Sequence, residues 1–280
     1  MPGRWSTVRL CARQELLLSV RSRWTQTFAI VFAMLALAVA SSGYVLSGGS
    51  GLQDFSRTAA SLVQLVLLIV PLTSLVFGVM ALSPEAGEAE LLFSQPVARS
   101  TILAGKLLGL FVALTAAQAI GFGAAGLLLF ARTGQEGIGG FVGVATGSMV
   151  LTAVFLAIAA AVAVGDAGLR RARHLAIALV IWFVAVVLFD VAALGLASLL
   201  PSGLASRVLM VSAIINPVDA VRTGTLLAVE GTSAFGAASL AFLRFTGGPV
   251  GATCWLATSL VSWLVVLTAT AAARLKRADI

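Results

Sequence analysis

Eleven carboxylates and a single imidazole make up the acid–base chemistry of this 280-residue chain. Their placing excludes most catalytic schemes. His174 has no second histidine to join it, so neither a His-containing metal cluster nor an HExxH site can form. No Cys-x-x-Cys occurs, and the five methionines, at 1, 34, 80, 149 and 210, are too scattered for a thioether copper site. Gly105-Lys106 is followed by two leucines and lacks the upstream glycine of a P-loop, so the chain cannot hold ATP in that way. His174 itself lies beside Arg170, Arg171 and Arg173 and reads as an interfacial polar residue. No residue is assigned to catalysis and none to a metal.

Three placements of polar residues remain. Asp190, in "FVAVVLFDVAALGLA", is the one acid deep inside an apolar run. A carboxylate in hydrocarbon must face a partner or a water-filled cavity, or be protonated. It reads equally as a polar element of a substrate path and as a hydrogen-bonded packing or topology device. In "NPVDAVR", Asn216 or Asp219 suits the cap of a helix, and Asp219 and Arg222, three apart, suit a pair. Good capping alone accounts for them; a place on a transport path or external gate is the functional reading. In "SPEAGEAELLFSQPVARSTILAGK", Glu85, Glu88 and Glu90 fall within six positions. With Leu91 and Leu92 they predict a short amphipathic helix over 84–93, with acids near its N-terminus where the helix dipole favours them. Pro96 breaks it, and Ser100 then caps a second helix running through Lys106. Such a segment suits docking onto another protein; the plainer reading is that the acids keep a loop wet.

The elements that position these residues follow from composition. The chain is 60% hydrophobic and 10% charged, with a mean hydropathy of +1.06, where a soluble domain carries roughly 25% charged residues. It is therefore an integral membrane protein, with spans predicted at 26–46, 59–82, 105–131, 137–164, 175–199 and 249–273. These leave no room for a soluble catalytic domain. The first apolar stretch lacks a clean A-x-A site and reads as a retained span. The net charge of +7 belongs to the positive-inside rule rather than to nucleic acid, since 13 of the 18 basic residues fall on one side of this topology. Both termini are then cytoplasmic. Residues 1–25 have the helical period, with Val8, Leu10, Leu16, Leu17 and Val20 apolar among arginines and Trp5 and Trp24 as anchors, which predicts an amphipathic interfacial helix.

Further punctuation refines the picture. Pro71 should kink the second span. "RTGQEG" is too short to do anything but make the third and fourth spans antiparallel neighbours. Gly139, Gly143 and Gly147 recur at every fourth position and predict a small-residue stripe against which another helix packs. Residues 200–248 are apolar in pieces too short to span, and read as external re-entrant or interfacial helices broken at Asn216-Pro217. Cys11 and Cys254 fall too far apart in this topology for a disulfide.

Taken together, these features resemble the ABC-2 type permease family (type V exporter-like) along the whole chain. The resemblance rests on the order of elements and on Glu88, Leu91, Leu92, Pro96, Arg99, Ile102, Leu103, Gly105 and Lys106 in the region that, in that family, couples to the ATPase; "PEAGEAE" departs from the usual run of acid, Gly and Gly-Thr there. Within the family the chain looks most like permease subunits serving maturation of nitrous oxide reductase, through "SRW", "GFGAAGL", "WFVAVVLFD" and "NPVDAVR". The resemblance implies an all-α permease with six transmembrane helices in the bacterial inner membrane, acting as a homodimer. It implies a cytoplasmic ATPase partner that holds ATP and Mg, a periplasmic repeat protein, and a sulfur species as cargo for a copper-sulfur centre. Glu85, Glu88, Glu90, Leu91, Leu92, Pro96, Arg99 and Lys106, with Asp166, Arg170 and Arg171 of the next cytoplasmic loop, would couple to the ATPase. The rival cargoes are a drug, a lipid or a polysaccharide, and the rival role is a membrane anchor for a periplasmic assembly factor.

Overall fold

The structure, a computed structural model, describes residues 4–47, 52–83, 98–133, 138–164, 171–231 and 237–277, and all the regular structure among them is helical. In chain order these are α1 (Arg4–Arg21), α2 (Arg23–Ser47), α3 (Leu52–Leu82), α4 (Arg99–Thr133), α5 (Ile138–Ala163) and α6 (Arg171–Phe183). A π-helical turn, Val184–Leu188, joins α6 to α7 (Phe189–Ser198). Then follow α8 (Ser202–Ile215), α9 (Pro217–Glu230), α10 (Ala237–Thr246) and α11 (Pro249–Arg277). Six segments are long and apolar enough to cross a bilayer: Arg23–Ser42, Arg57–Leu82, Arg99–Ala131, Ile138–Ala163, Arg171–Ser198 and Pro249–Leu275. The protein is a multi-pass membrane protein. One end of the bundle gathers Arg23, Arg99, Lys106, Arg171 and Arg274, and is called the basic end below.

The third span begins at Arg99 rather than at 105, because the helix is already closed there. Thr101 and Ile102 both donate their amides to the Ala98 carbonyl. Ser100 therefore lies inside the first turn, and the capping position expected of it belongs to Ala98.

α5 forms the centre. It is apolar on every side, as a helix surrounded by others must be, and it packs against α3, α4, α6, α9 and α11. Leu151, Val154, Phe155 and Ala159 are fully enclosed. A chain of tilted and edge-to-face aromatic contacts, Phe28, Phe32, Phe122, Phe141 and Phe130, at 5.4–6.0 Å between ring centres, stitches α2, α4 and α5 together. The outermost spans are α6–α7 and α11, with 11% and 17% of their apolar windows buried.

α1 corrects the amphipathic expectation in one respect. Its apolar residues do not share a single face: Val8 is buried and Leu16 half-buried against α4, whereas Leu10, Leu17, Leu18 and Val20 are exposed. The contact with α4 is close because Gly105 and Gly109 present no side chains. A Cβ on Gly109 would stand 2.6 Å from the Ala12 carbonyl oxygen, and one on Gly105 would collide with the Cys11 Cβ. The predicted stripe on α5 is shorter than expected. Gly147 and Gly143 meet Thr225 and Ala228 of α9, while Gly139 borders open space. Between α8 and α9 the chain bends by 102° across Asn216.

Candidate functional site

The polar residues that the sequence scatters over thirty positions converge at the α8–α9 bend. Asn216 caps α9, its Oδ1 accepting from the Val218 amide at 3.0 Å. Its Nδ2 donates to the Ala185 carbonyl at 2.8 Å. Ala185 lies in the π-helical turn, where one inserted residue leaves carbonyls without their usual helical partners. The same insertion sets the register of the residues after it, since an ordinary helix through them would carry Asp190 about 100° around the axis. In the register observed, Asp190 Oδ2 accepts from Arg222 Nη2 at 2.6 Å. Arg222 Nη1 reaches Asp219 Oδ1 at 2.8 Å, one turn back on α9. One guanidinium thus bridges two carboxylates on different helices. The cluster is about three-quarters withdrawn from solvent or more.

α11 fixes the same bend from the other side. Ser259 Oγ donates to the Ile214 carbonyl, and Trp263 Nε1 to that of Ile215 at 2.9 Å. These are the terminal carbonyls of α8, which an abrupt helix end leaves unpaired. The bend is therefore held by the fifth and sixth spans at once. Sequence reasoning found Asp190, Asn216, Asp219 and Arg222 but not Ser259 or Trp263, which carry no signal distinct from other interfacial polar residues.

At the basic end, cations close helix C-termini. Lys106 Nζ donates to the Ala81 carbonyl at 3.1 Å and Arg171 Nη2 to that of Met80 at 2.7 Å, both in the last turn of α3. Arg274 Nη1 donates to the Ala161 carbonyl near the end of α5 at 2.6 Å. Each satisfies an orphan carbonyl and opposes the negative pole of the helix. His174, expected at the interface, is instead buried, with Nδ1 3.0 Å from Ser83 Oγ. The segment leaving α3 is thus gripped from α4 and α6. Glu85, Glu88, Glu90, Leu91, Leu92, Pro96, Asp166 and Arg170 lie outside the described residues; of the proposed coupling positions, Arg99, Lys106 and Arg171 are described.

A third polar group sits fully inside the bundle. Gln118 Nε2 donates to Thr152 Oγ1 at 2.8 Å, Ser148 Oγ donates to Gln118 Oε1 at 2.6 Å, and Thr152 Oγ1 donates to the Ser148 carbonyl. Such a satisfied network fixes the register of α4 on α5. Among the described residues no three His, Cys, Asp or Glu side chains converge as a metal site requires.

Comparison with known proteins agrees with this architecture. The profile of the ABC-2 family transporter proteins matches residues 10–280. The chain is similar to the probable ABC transporter permease protein NosY of Pseudomonas aeruginosa, 32% identical over 267 residues, covering 93% of this chain and 94% of that one. It is also similar to the probable ABC transporter permease protein NosY of Stutzerimonas stutzeri, 33% identical over 236 residues, covering 82% of this chain and 85% of that one.

Proposed function

The chain belongs to the ABC-2 transporter family and is a permease subunit of an ABC transporter, and from that premise we propose that it moves a sulfur species across the bacterial inner membrane for the copper-sulfur centre of nitrous oxide reductase. It does so as a homodimer, with both termini in the cytoplasm, driven by a separate cytoplasmic ATPase that binds ATP and Mg. A periplasmic repeat protein receives the cargo. The observation that carries this reading is the similarity to two NosY permeases along nearly the whole chain. The resemblance of "WFVAVVLFD" and "NPVDAVR" to permeases of that maturation system adds the substrate.

The geometry supplies a mechanism for coupling. ATP-driven closure of the partner pushes on 83–99 and on 165–174. These segments adjoin the ends of α3, α4 and α6 that Lys106 and Arg171 join. The α6 helix and its π turn, Arg171 to Leu188, carry the displacement to Asp190 and hence to Arg222 at the bend, which acts as the external gate.

Three experiments test this. Replacing Glu85, Glu88 and Glu90 together by Lys should abolish co-purification with the ATPase; unchanged binding and transport would remove the coupling role. Deleting the gene should leave nitrous oxide reductase without an assembled copper-sulfur centre. Normal assembly would refute the cargo while leaving the permease assignment intact, and an ATPase that the reconstituted permease does not stimulate would favour a membrane anchor.

A further inference from the structure

Where α1 turns into α2 at the basic end, a cavity of about 180 Å³ opens between α1, α2, α3, α4 and the start of α6. Its polar lining is Glu15, Ser19, Ser22, Thr25 and Arg171, and its floor is apolar side chains of α3 and α4. Glu15 is 9% exposed. It makes no hydrogen bond or ion pair with any described residue. Lys106, the cation whose field it feels, gives its own hydrogen bond to the Ala81 carbonyl.

Packing explains why a carboxyl sits there. Glu15 shares the face of α1 with Cys11, Ala12 and Ser19, and that face closes on Gly105 and Gly109, with the Glu15 Cβ itself against Gly109. Arg9, Arg13 and Arg21 of α1, by contrast, are exposed. An ionised carboxylate withdrawn from water without donors is costly. The cation in the lining, Arg171, gives its Nη2 to the Met80 carbonyl rather than to Glu15. Leu18 and Trp24, 58% and 67% exposed, also line the cavity, and an exposed tryptophan at the end of a span marks head-group depth.

We propose that this cavity binds a protonated primary amine, with Glu15 as counter-ion, and that the amine is the head group of an aminophospholipid. A primary ammonium supplies three donors to a carboxylate at charge-assisted strength. The phosphate next to it meets the Arg171 guanidinium and the hydroxyls of Ser19, Ser22 and Thr25, while the acyl chains stay in the bilayer. A trimethylated head group has no N–H to offer Glu15 and is bulkier. Burial alone holds the Glu15 carboxyl above its ordinary value, opposed by Lys106, which is the state an ammonium ligand would relieve. This inference does not depend on the cargo assigned above.

The full-length chain in nanodiscs provides the test. Native mass spectrometry should find phosphatidylethanolamine retained about tenfold over phosphatidylcholine, the worth of one charge-assisted hydrogen bond. Glu15→Gln, similar in shape but uncharged, should erase the preference. Equal retention by the unaltered chain, or a preference that survives in E15Q, would overturn the site. Infrared spectra of the unaltered chain keep the idea testable should E15Q misfold. Exchanging phosphatidylcholine for phosphatidylethanolamine should strengthen the carboxylate band, and an unchanged band counts against the proposal. Free ethanolamine in detergent distinguishes the source. If it reproduces the spectral change as well as the lipid does, the site takes soluble amines and the lipid assignment fails; if it does not, the head group is the ligand.

Discussion

Arg222 carries more of the candidate gate than either acid it binds. Its two nitrogens hold Asp190 and Asp219 at 2.6 and 2.8 Å, so removing it leaves two facing carboxylates without a cation. Arg222→Met should therefore cost about 3 kcal/mol, the lower end for breaking a buried pair because the cluster keeps some solvent contact. Asp190→Asn leaves the Asp219 pair standing and should cost about 1 kcal/mol. Thermal unfolding of the detergent-solubilised protein checks the order, and a D190N defect as large as that of R222M would show that the bridge is not shared. Glu15 obeys a different logic. Burial, only partly opposed by Lys106, raises its pKa above the ordinary 4.5. The neutral form is thus favoured on folding. Its stabilising share is complete below the unfolded pKa of about 4.5 and is lost as pH rises through the higher folded value. In detergent free of amines, E15Q and the unaltered chain should melt alike at pH 4, and E15Q should melt higher at pH 8. Parallel melting curves across that range would contradict the burial of an unpaired carboxyl.

Glycine positions decide how closely the helices approach. Gly109→Ala would drive a Cβ into the backbone of α1, 2.6 Å from the Ala12 carbonyl oxygen, and should cost about 1–3 kcal/mol by overpacking. The release of α1 should appear as faster hydrogen exchange over 4–21. Gly139→Ala meets nothing within 4 Å and should stabilise by up to about 1 kcal/mol through helix propensity. The sequence singles out Gly139 and not Gly109, because a four-residue glycine spacing is visible on one helix while the identity of the neighbour is not. Gly105 and Gly109 share that spacing, and of the two only Gly105 enters the sequence reading, as part of the coupling motif. The same limit hid the partner of Asp190, 32 positions away at Arg222, and the Gln118–Ser148–Thr152 network. What was legible depends on local physics. Six apolar runs follow from chain length in hydrocarbon, and the break at Asn216-Pro217 follows from a cap followed by a residue without an amide hydrogen. The π turn has no such signature. It is stabilised by Asn216 reaching Ala185 from another helix.

At the scale of the molecule, the bundle is lopsided. α5 is enclosed by five neighbours, whereas the span Arg171–Ser198 has only 11% of its window buried. A lone span this bare contributes little to its own chain's core, yet it carries Asp190 and the π turn that aligns it. Val191 and Leu194, each 62% exposed, lie within four residues of Asp190. A second copy packed on that face would put the two Asp190–Arg222 bridges near a shared axis and let one displacement move both. This predicts that, with Cys11 and Cys254 changed to Ser, Val191→Cys will cross-link to its counterpart in native membranes. Leu127→Cys, 75% exposed on α4, will not. Efficient cross-linking from Leu127 and none from Val191 would place the dimer seam on α4, detaching the candidate gate from the symmetry axis and leaving each subunit to open independently.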